Sequence, residues 1–154
     1  MRNITQQKKS EFNEKVLDIR RVTRVVAGGK RFRFRATVVI GDKNGRIGVG
    51  LAKGADVAQS VEKAKRDALK NLITIKLKDN RTIPYEIDAK YSAARVRLKP
   101  AKAGHGLIAG GACRFVLELA GIKDISAKIL GRTSNKLTNA LTTIEALKEF
   151  KATQ

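Results

Sequence analysis

Apolar and polar positions along the chain follow two rhythms, one of period two and one near 3.6. From Phe32 to Ile40 the period is two. Phe32, Phe34, Ala36, Val38 and Ile40 alternate with Arg31, Arg33, Arg35 and Thr37, which predicts a strand with one apolar and one cationic face. In the stretch before it, Lys15 to Val26, the apolar residues Val16, Ile19, Val22 and Val25 recur at a spacing a helix tolerates. Its β-branched content and the strong strand that follows predict a strand instead. Gly28-Gly29 separates the two and permits a sharp turn. Gly41-Asp42-Lys43-Asn44-Gly45 then carries an Asn-Gly step, whose residues accept positive φ and so predict a hairpin. The returning strand sets Ile47, Val49 and Leu51 on one face. Gly48, Gly50 and Ala52 lie on the other, where missing side chains leave room for a close approach. From Asp56 to Leu72 the rhythm is helical. Val57, Val61, Ala64, Ala68 and Leu72 form a buried stripe, Lys63, Arg66 and Lys70 lie elsewhere, and Asp56 with Gln59 has the spacing of a capping box.

Lys76 to Arg81 is polar and charged and marks a boundary. Beyond it, Ile83, Tyr85, Ile87, Ala89 and Tyr91 alternate, as do Val96 and Leu98 against Arg95, Arg97 and Lys99, predicting two more strands, the second ended by Pro100. The glycine-rich run from Gly104 to Gly111 leads into a helix that reaches about Ala120, where Gly121 stops it. Asp124 to Ile129 reads as a strand. Asn135 to Phe150 reads as a final helix, with Leu137, Leu141, Ile144 and Leu147 buried and Lys148 facing out. The pattern is α+β, in two small units with no internal repeat.

Charge changes this picture most. The chain has 154 residues with 33 Lys+Arg against 14 Asp+Glu, a net +19, which disfavours an ordinary small-molecule enzyme and points to a polyanion, nucleic acid before membrane. Residues 1–77 hold 19 basic and 7 acidic side chains, net +12, and residues 78–154 hold 14 and 7, net +7, so the first half is where a phosphate-binding surface is expected. Between Lys15 and Arg35 eight basic residues accompany the single acid Asp18. Hydrophobic residues at 42% suffice for a core, which excludes wholesale disorder. The lone Cys113 excludes an intramolecular disulfide and fits a reducing cytosol. With the lone His105 it also excludes a four-ligand Cys/His zinc site. No apolar stretch suits a secretory signal or a membrane span.

Four constellations invite chemistry. The basic hairpin from Arg20 to Arg35 would carry guanidinium forks to phosphates. Phe32 and Phe34 could stack bases, but their same-face neighbours are aliphatic, so both are expected to face the core. The loop Gly104–Gly111 lacks the Gly-Lys-Ser/Thr of a Walker loop. It could bind phosphate, serve tight helix packing, or form a close protein contact. His105 and Cys113 have no orienting acid nearby, so an inert buried thiol and a contact histidine are expected, with no catalytic residues, no metal and no cofactor.

Taken in order, Gly28-Gly29-Lys30-Arg31-Phe32-Arg33-Phe34, Gly41 to Gly50, Lys99-Pro100-Ala101, Gly106 to Ala112 and Leu117-Glu118-Leu119-Ala120-Gly121-Ile122 closely resemble the family of bacterial small-ribosomal-subunit protein five, across nearly the whole chain. The resemblance implies a β-β-β-α domain like the double-stranded-RNA-binding fold without its first helix, over residues 11–76, after a basic arm at 1–10. It implies a β-α-β-α two-layer sandwich over 82–154, related in fold to small-molecule kinases without their activity. It further implies 16S ribosomal RNA and small-subunit proteins four and eight as partners, a role in subunit assembly, a place beside the path by which messenger RNA enters, and an influence on decoding accuracy. The segment matching Val22, Thr23, Arg24 and Gly28 would lie near the spectinomycin site. Where the family has Asn-Pro before the last helix, this chain has Asn135-Lys136. The candidate RNA-binding set is Arg20, Arg21, Thr23, Arg24, Gly28, Gly29, Lys30, Arg31, Arg33, Arg35 and Lys53. The candidate protein-contact set is Gly104, His105, Gly106, Gly110, Gly111 and Arg114. A cytoplasmic ribosomal protein with no membrane surface and no small-molecule substrate is the expectation. A small phosphotransferase using the Gly104–Gly111 loop and a free RNA chaperone or membrane-surface protein are the alternatives.

Overall fold

The computed structural model describes residues 11–79 and 81–152, so the arm expected at 1–10 lies outside the described residues. The first unit comprises β1 (Asn13–Val26), β2 (Gly29–Gly41), β3 (Arg46–Gly54), α1 (Val57–Lys70) and the short β4 (Ile73–Thr74), in an antiparallel sheet of order β1-β2-β3-β4. The second comprises β5 (Ile87–Tyr91), β6 (Ala94–Pro100), β7 (Leu107–Ile108), α2 (Gly111–Ala120), β8 (Ile125–Ile129) and α3 (Lys136–Ala152). Its sheet runs β5-β6-β8-β7 and is antiparallel except for β7 and β8, which α2 joins as a parallel crossover. The α+β class is as expected from the periodicity.

The room left by the glycines of β3 is taken by the chain's own helix. A side chain at Gly48 would strike the carbonyl of Ala68, and one at Gly50 the backbone of Ala64 and Ala68. Ala64 and Ala68 thereby bury themselves against Ala36, Val38 and Ile40. The expected capping box does not form, and the Gln59 side chain reaches one residue past the cap. Asp56 gives no side-chain cap bond, whereas Gln59 Oε1 accepts the N–H of Ala55 at 3.0 Å.

The opposite face of the same sheet joins the two units into one core. Leu17, Val39, Ile47 and Val49 cluster with Val96, Leu98, Val116, Leu117, Ile125, Ile144 and Leu147. The β2–β3 turn closes the joint: the N–H groups of Lys43 and Gly45 donate to the Leu119 and Ala120 carbonyls at 3.0 and 2.9 Å, satisfying the end of α2. Positive φ falls on Lys43 (60°) and Gly45 (94°), not on Asn44 as the Asn-Gly signal suggests. The reason is that Asp42 Oδ1 accepts from both Asn44 and Arg46 N–H and sets a wider turn. Gly121, at φ 88°, ends α2 as expected, its N–H returning to the Glu118 carbonyl at 3.1 Å.

One expectation changes in the second unit. The alternation from Ile83 forms a strand only from Ile87, because Pro84 cannot donate to a ladder. Ile83 is buried nonetheless, and Tyr85 meets the Phe150 ring edge-on at 5.0 Å. The two-residue strands β4 and β7 are too short to show a period. The last helix starts without proline, since Asn135 Oδ1 accepts the N–H of Leu137 at 3.2 Å and caps it.

Candidate nucleic-acid interface

β3 stops at Gly54, opposite Phe34, while β1 and β2 keep pairing out to Val26 and Gly29. Past that line the sheet is a two-stranded ribbon, and the α1 cluster reaches only Ala36, Val38 and Ile40 on β2. Directly opposed residues of an antiparallel pair share a face. The register therefore sets Arg20 beside Arg35, Arg35 beside Lys53, and Arg24 beside Arg31, with Arg33 opposite Val22, all on one side. Like charges placed so destabilise a bare sheet. Among the described residues only Arg20 of this set is ion-paired, its Nε 2.6 Å from Asp18 Oδ2, with Lys136 Nζ 3.7 Å from the other oxygen. Among the described residues, none of Arg24, Arg31, Arg33, Arg35 and Lys53 forms an ion pair.

A hollow of about 270 Å³ collects Val22, Thr23, Arg24, Arg31, Arg33 and Lys53. A smaller one at the start of α3 is lined by Asp18, Arg20, Arg35, Thr37, Asn135 and Leu137. Gly28, Gly29 and Lys30 form the exposed tip. Arg21 lies on the reverse side, its guanidinium carbon 4.6 Å from the centroid of the Phe32 ring. The expectation that both phenylalanines face the core is corrected here: Phe34 is half-buried, and Phe32 is 49% exposed. It has the right face but lies beyond the third strand and the helix that would cover it.

The second predicted set occupies another surface. Gly104, His105, Gly110, Gly111 and Arg114 are exposed and Gly106 is half-buried. Asp124, only 2% exposed, builds this loop from beneath. Its Oδ1 accepts the N–H groups of Gly104 and Gly106, each at 3.0 Å, and its Oδ2 accepts Arg81 Nε at 2.8 Å. The Gly106 amide foremost, and then Arg81, hold its carboxyl below the ordinary carboxylate range. Gly104 and Gly106 have φ of 88° and 79° with open space where a side chain would stand, so the backbone path requires glycine there and helix packing does not. The carboxylate engages amides that a phosphate cradle would need and repels a phosphate as well, which counts against the phosphotransferase alternative.

Cys113 is buried under α3 and receives the Thr143 hydroxyl at 3.1 Å. Burial pushes its thiol pKa up, as expected for an inert cysteine. Among the described residues no group of three or more His, Cys, Asp or Glu could hold a metal ion, and no helix is long and apolar enough to cross a membrane. Asp124 escaped the sequence reading because its partners stand 18 to 43 residues away.

Comparison with known proteins decides the family. Residues 12–76 match the model of the ribosomal protein S5 N-terminal domain, and residues 89–154 match that of the ribosomal protein S5 C-terminal domain. The chain belongs to the ribosomal protein S5 family. The small ribosomal subunit protein uS5c of Spinacia oleracea is 49% identical over 140 residues, which cover 91% of this chain and 45% of that relative. The chain thus spans a little under half the length of the curated relative it matches. Both matching models and this relative are named as ribosomal proteins. The two models fall on the two sheets, the ribbon in the first and the Asp124-built loop in the second.

Proposed function

We propose that the chain is a structural constituent of the small ribosomal subunit that binds 16S ribosomal RNA through the cationic face of the β1–β2 ribbon. The observation that carries this reading is the register. Arg24 faces Arg31, and Arg35 lies between Arg20 and Lys53, with one acid, Asp18, holding Arg20. Such a face is relieved by phosphates, whose neutralisation releases condensed counterions. Recognition rests on RNA shape and backbone, since the deep A-form major groove hides base edges from side chains.

In the same reading the loop Gly104–Arg114 meets small-subunit protein four, and another surface meets protein eight. The protein supports subunit assembly, stands beside the path by which messenger RNA enters, and through its protein-four contact bears on decoding accuracy. The ribosome it serves is cytoplasmic. The two functional units correspond to residues 11–76 and 82–154.

The test is a salt titration of binding to a 16S fragment. Changing Arg24, Arg31 and Arg33 together to Glu lowers affinity by roughly 100-fold or more at low salt and flattens the dependence of log K on log salt by about three. Unchanged affinity and slope across the titration reject the ribbon as the RNA site.

A further inference from the structure

The phosphate grip leaves one conspicuous side chain without a task. Phe32 stands 49% exposed on the face of the ribbon opposite the row of cations, across from Thr23. Arg21 lies against its ring at 4.6 Å from the centroid, an arrangement in which the guanidinium plane and the aromatic face support each other. Neither β3 nor the α1 cluster extends to cover the ring. Ile19 at 43% and Val25 at 74% exposure share this face, interleaved with Arg21, Thr23 and, opposite Val25, Lys30.

That mixture selects the occupant. A dry protein interface laid on this face would bury Arg21 and Lys30 beside apolar groups, at a desolvation cost that only matched acids would offset. An unpaired nucleobase suits it better. Its flat face stacks on an aromatic ring or a guanidinium plane, its polar edge stays in water, and its phosphate carries the charge that neighbouring cations attract.

We infer that Phe32 and Arg21 form a stacking platform for an unpaired RNA base, on the reverse side of the ribbon from the cations that grip phosphates. The inference rests on the RNA-binding reading above. It adds that the ribbon is held from both faces, by backbone on one and by a base on the other.

The test uses the full chain and a short single-stranded oligoribonucleotide carrying a fluorescent adenine analogue whose emission is quenched by stacking, with a fully paired RNA duplex as the control. Wild type quenches the analogue. Phe32→Leu abolishes the quenching and lowers single-strand affinity roughly ten-fold, leaving the salt slope and the duplex affinity as they were. Phe32→Tyr restores both affinity and quenching. Because Phe32 is half exposed, the Leu variant folds, and an unchanged thermal melt verifies this.

Equal quenching and affinity in Phe32→Leu and wild type overturn the platform while RNA binding stands. Equal losses on single strand and duplex also overturn it, showing that the ring only supports the ribbon. If wild type binds neither RNA, the underlying reading falls and takes the platform with it.

Discussion

Two antiparallel hairpins in this molecule carry alternating arginines and meet opposite electrostatic fates. In β5–β6, Arg97 stands directly across from Asp88, which holds its Nε at 2.6 Å and its Nη2 at 2.7 Å. Arg95 reaches the same carboxylate at 3.1 Å, and Lys99 lies 3.2 Å from Glu86. In β1–β2, Arg24 stands across from Arg31, and Arg20, Arg35 and Lys53 form a row. Composition already sets them apart, with eight basic residues to one acid from Lys15 to Arg35 and four to two from Glu86 to Lys99, but it does not say which charges meet. Cross-strand register separates them, since a cation opposite an acid is a finished surface and a cation opposite a cation waits for a partner. On the proposed reading, the basic residues left uncompensated serve RNA binding and those that are ion-paired serve the fold.

The largest expected effect comes from making the first hairpin resemble the second. Arg31→Glu places a carboxylate across from Arg24. RNA affinity falls roughly ten-fold, by the loss of a phosphate contact and the addition of a like charge. The free protein gains up to about 1 kcal/mol from the new cross-strand pair. Filter binding and chemical denaturation read the two changes, and opposite signs are the signature of a face built for a missing anion. A variant that loses stability as well would mean that Arg31 serves the fold.

The converse change acts on stability alone. Asp88→Ala leaves Arg95 and Arg97 side by side on β6 without their shared carboxylate. Thermal melting shifts down by several degrees, and RNA affinity stays at the wild-type level. Strengthened RNA binding would show that any uncovered arginine pair on this protein suffices, which would break the contrast.

This contrast also marks how far the sequence could be read. Period two located β2, β3 and the cationic face of the ribbon, because alternation is a local property of side-chain direction. The glycines of β3 announced a close approach, and α1 makes it. Register is not local. Nothing in the order of residues says that Arg24 meets Arg31 while Arg97 meets Asp88, and a shift of one residue would reassign every pair. Coverage is not local either. Phe32 has the same periodicity as Ala36, yet the third strand ends opposite Phe34, so the same face is core at one end and surface at the other. Asp124 was illegible for a related reason, its three donors coming from Arg81 and from two glycines before α2.

Acid should separate the hairpins on a smaller scale. Arg97 first, and Arg95 with it, lowers the Asp88 carboxyl from 3.8 to about 2. The carboxyls of Asp42, beside Arg46, and of Asp124 are lowered too. A carboxyl whose pKa is depressed by folding contributes stability above its unfolded value and loses it as pH falls through the folded one. The midpoint of thermal unfolding therefore holds down to about pH 4 and declines from there toward pH 2. In Asp88→Ala the decline is shallower. An identical acid limb in the two proteins would mean that the Asp88 cluster contributes nothing to the fold.

The smallest effect needs no mutation. Salt shortens electrostatic reach from about 10 Å at 0.1 M to about 3 Å at 1 M. In the free protein this screens the repulsion across Arg24–Arg31 and Arg20–Arg35–Lys53 and leaves the backbone ladder intact. It also weakens the attractions around Asp88. Amide hydrogen exchange resolves the two hairpins separately, because local opening is read residue by residue. Added salt slows exchange at the paired amides of the ribbon between Arg21 and Arg33, and quickens it between Ile87 and Leu98. Bound RNA mimics the first change and leaves the second alone, since phosphates do for the ribbon what Asp88 does for β6. If salt moved both hairpins in the same direction, charge pairing would not be what distinguishes them.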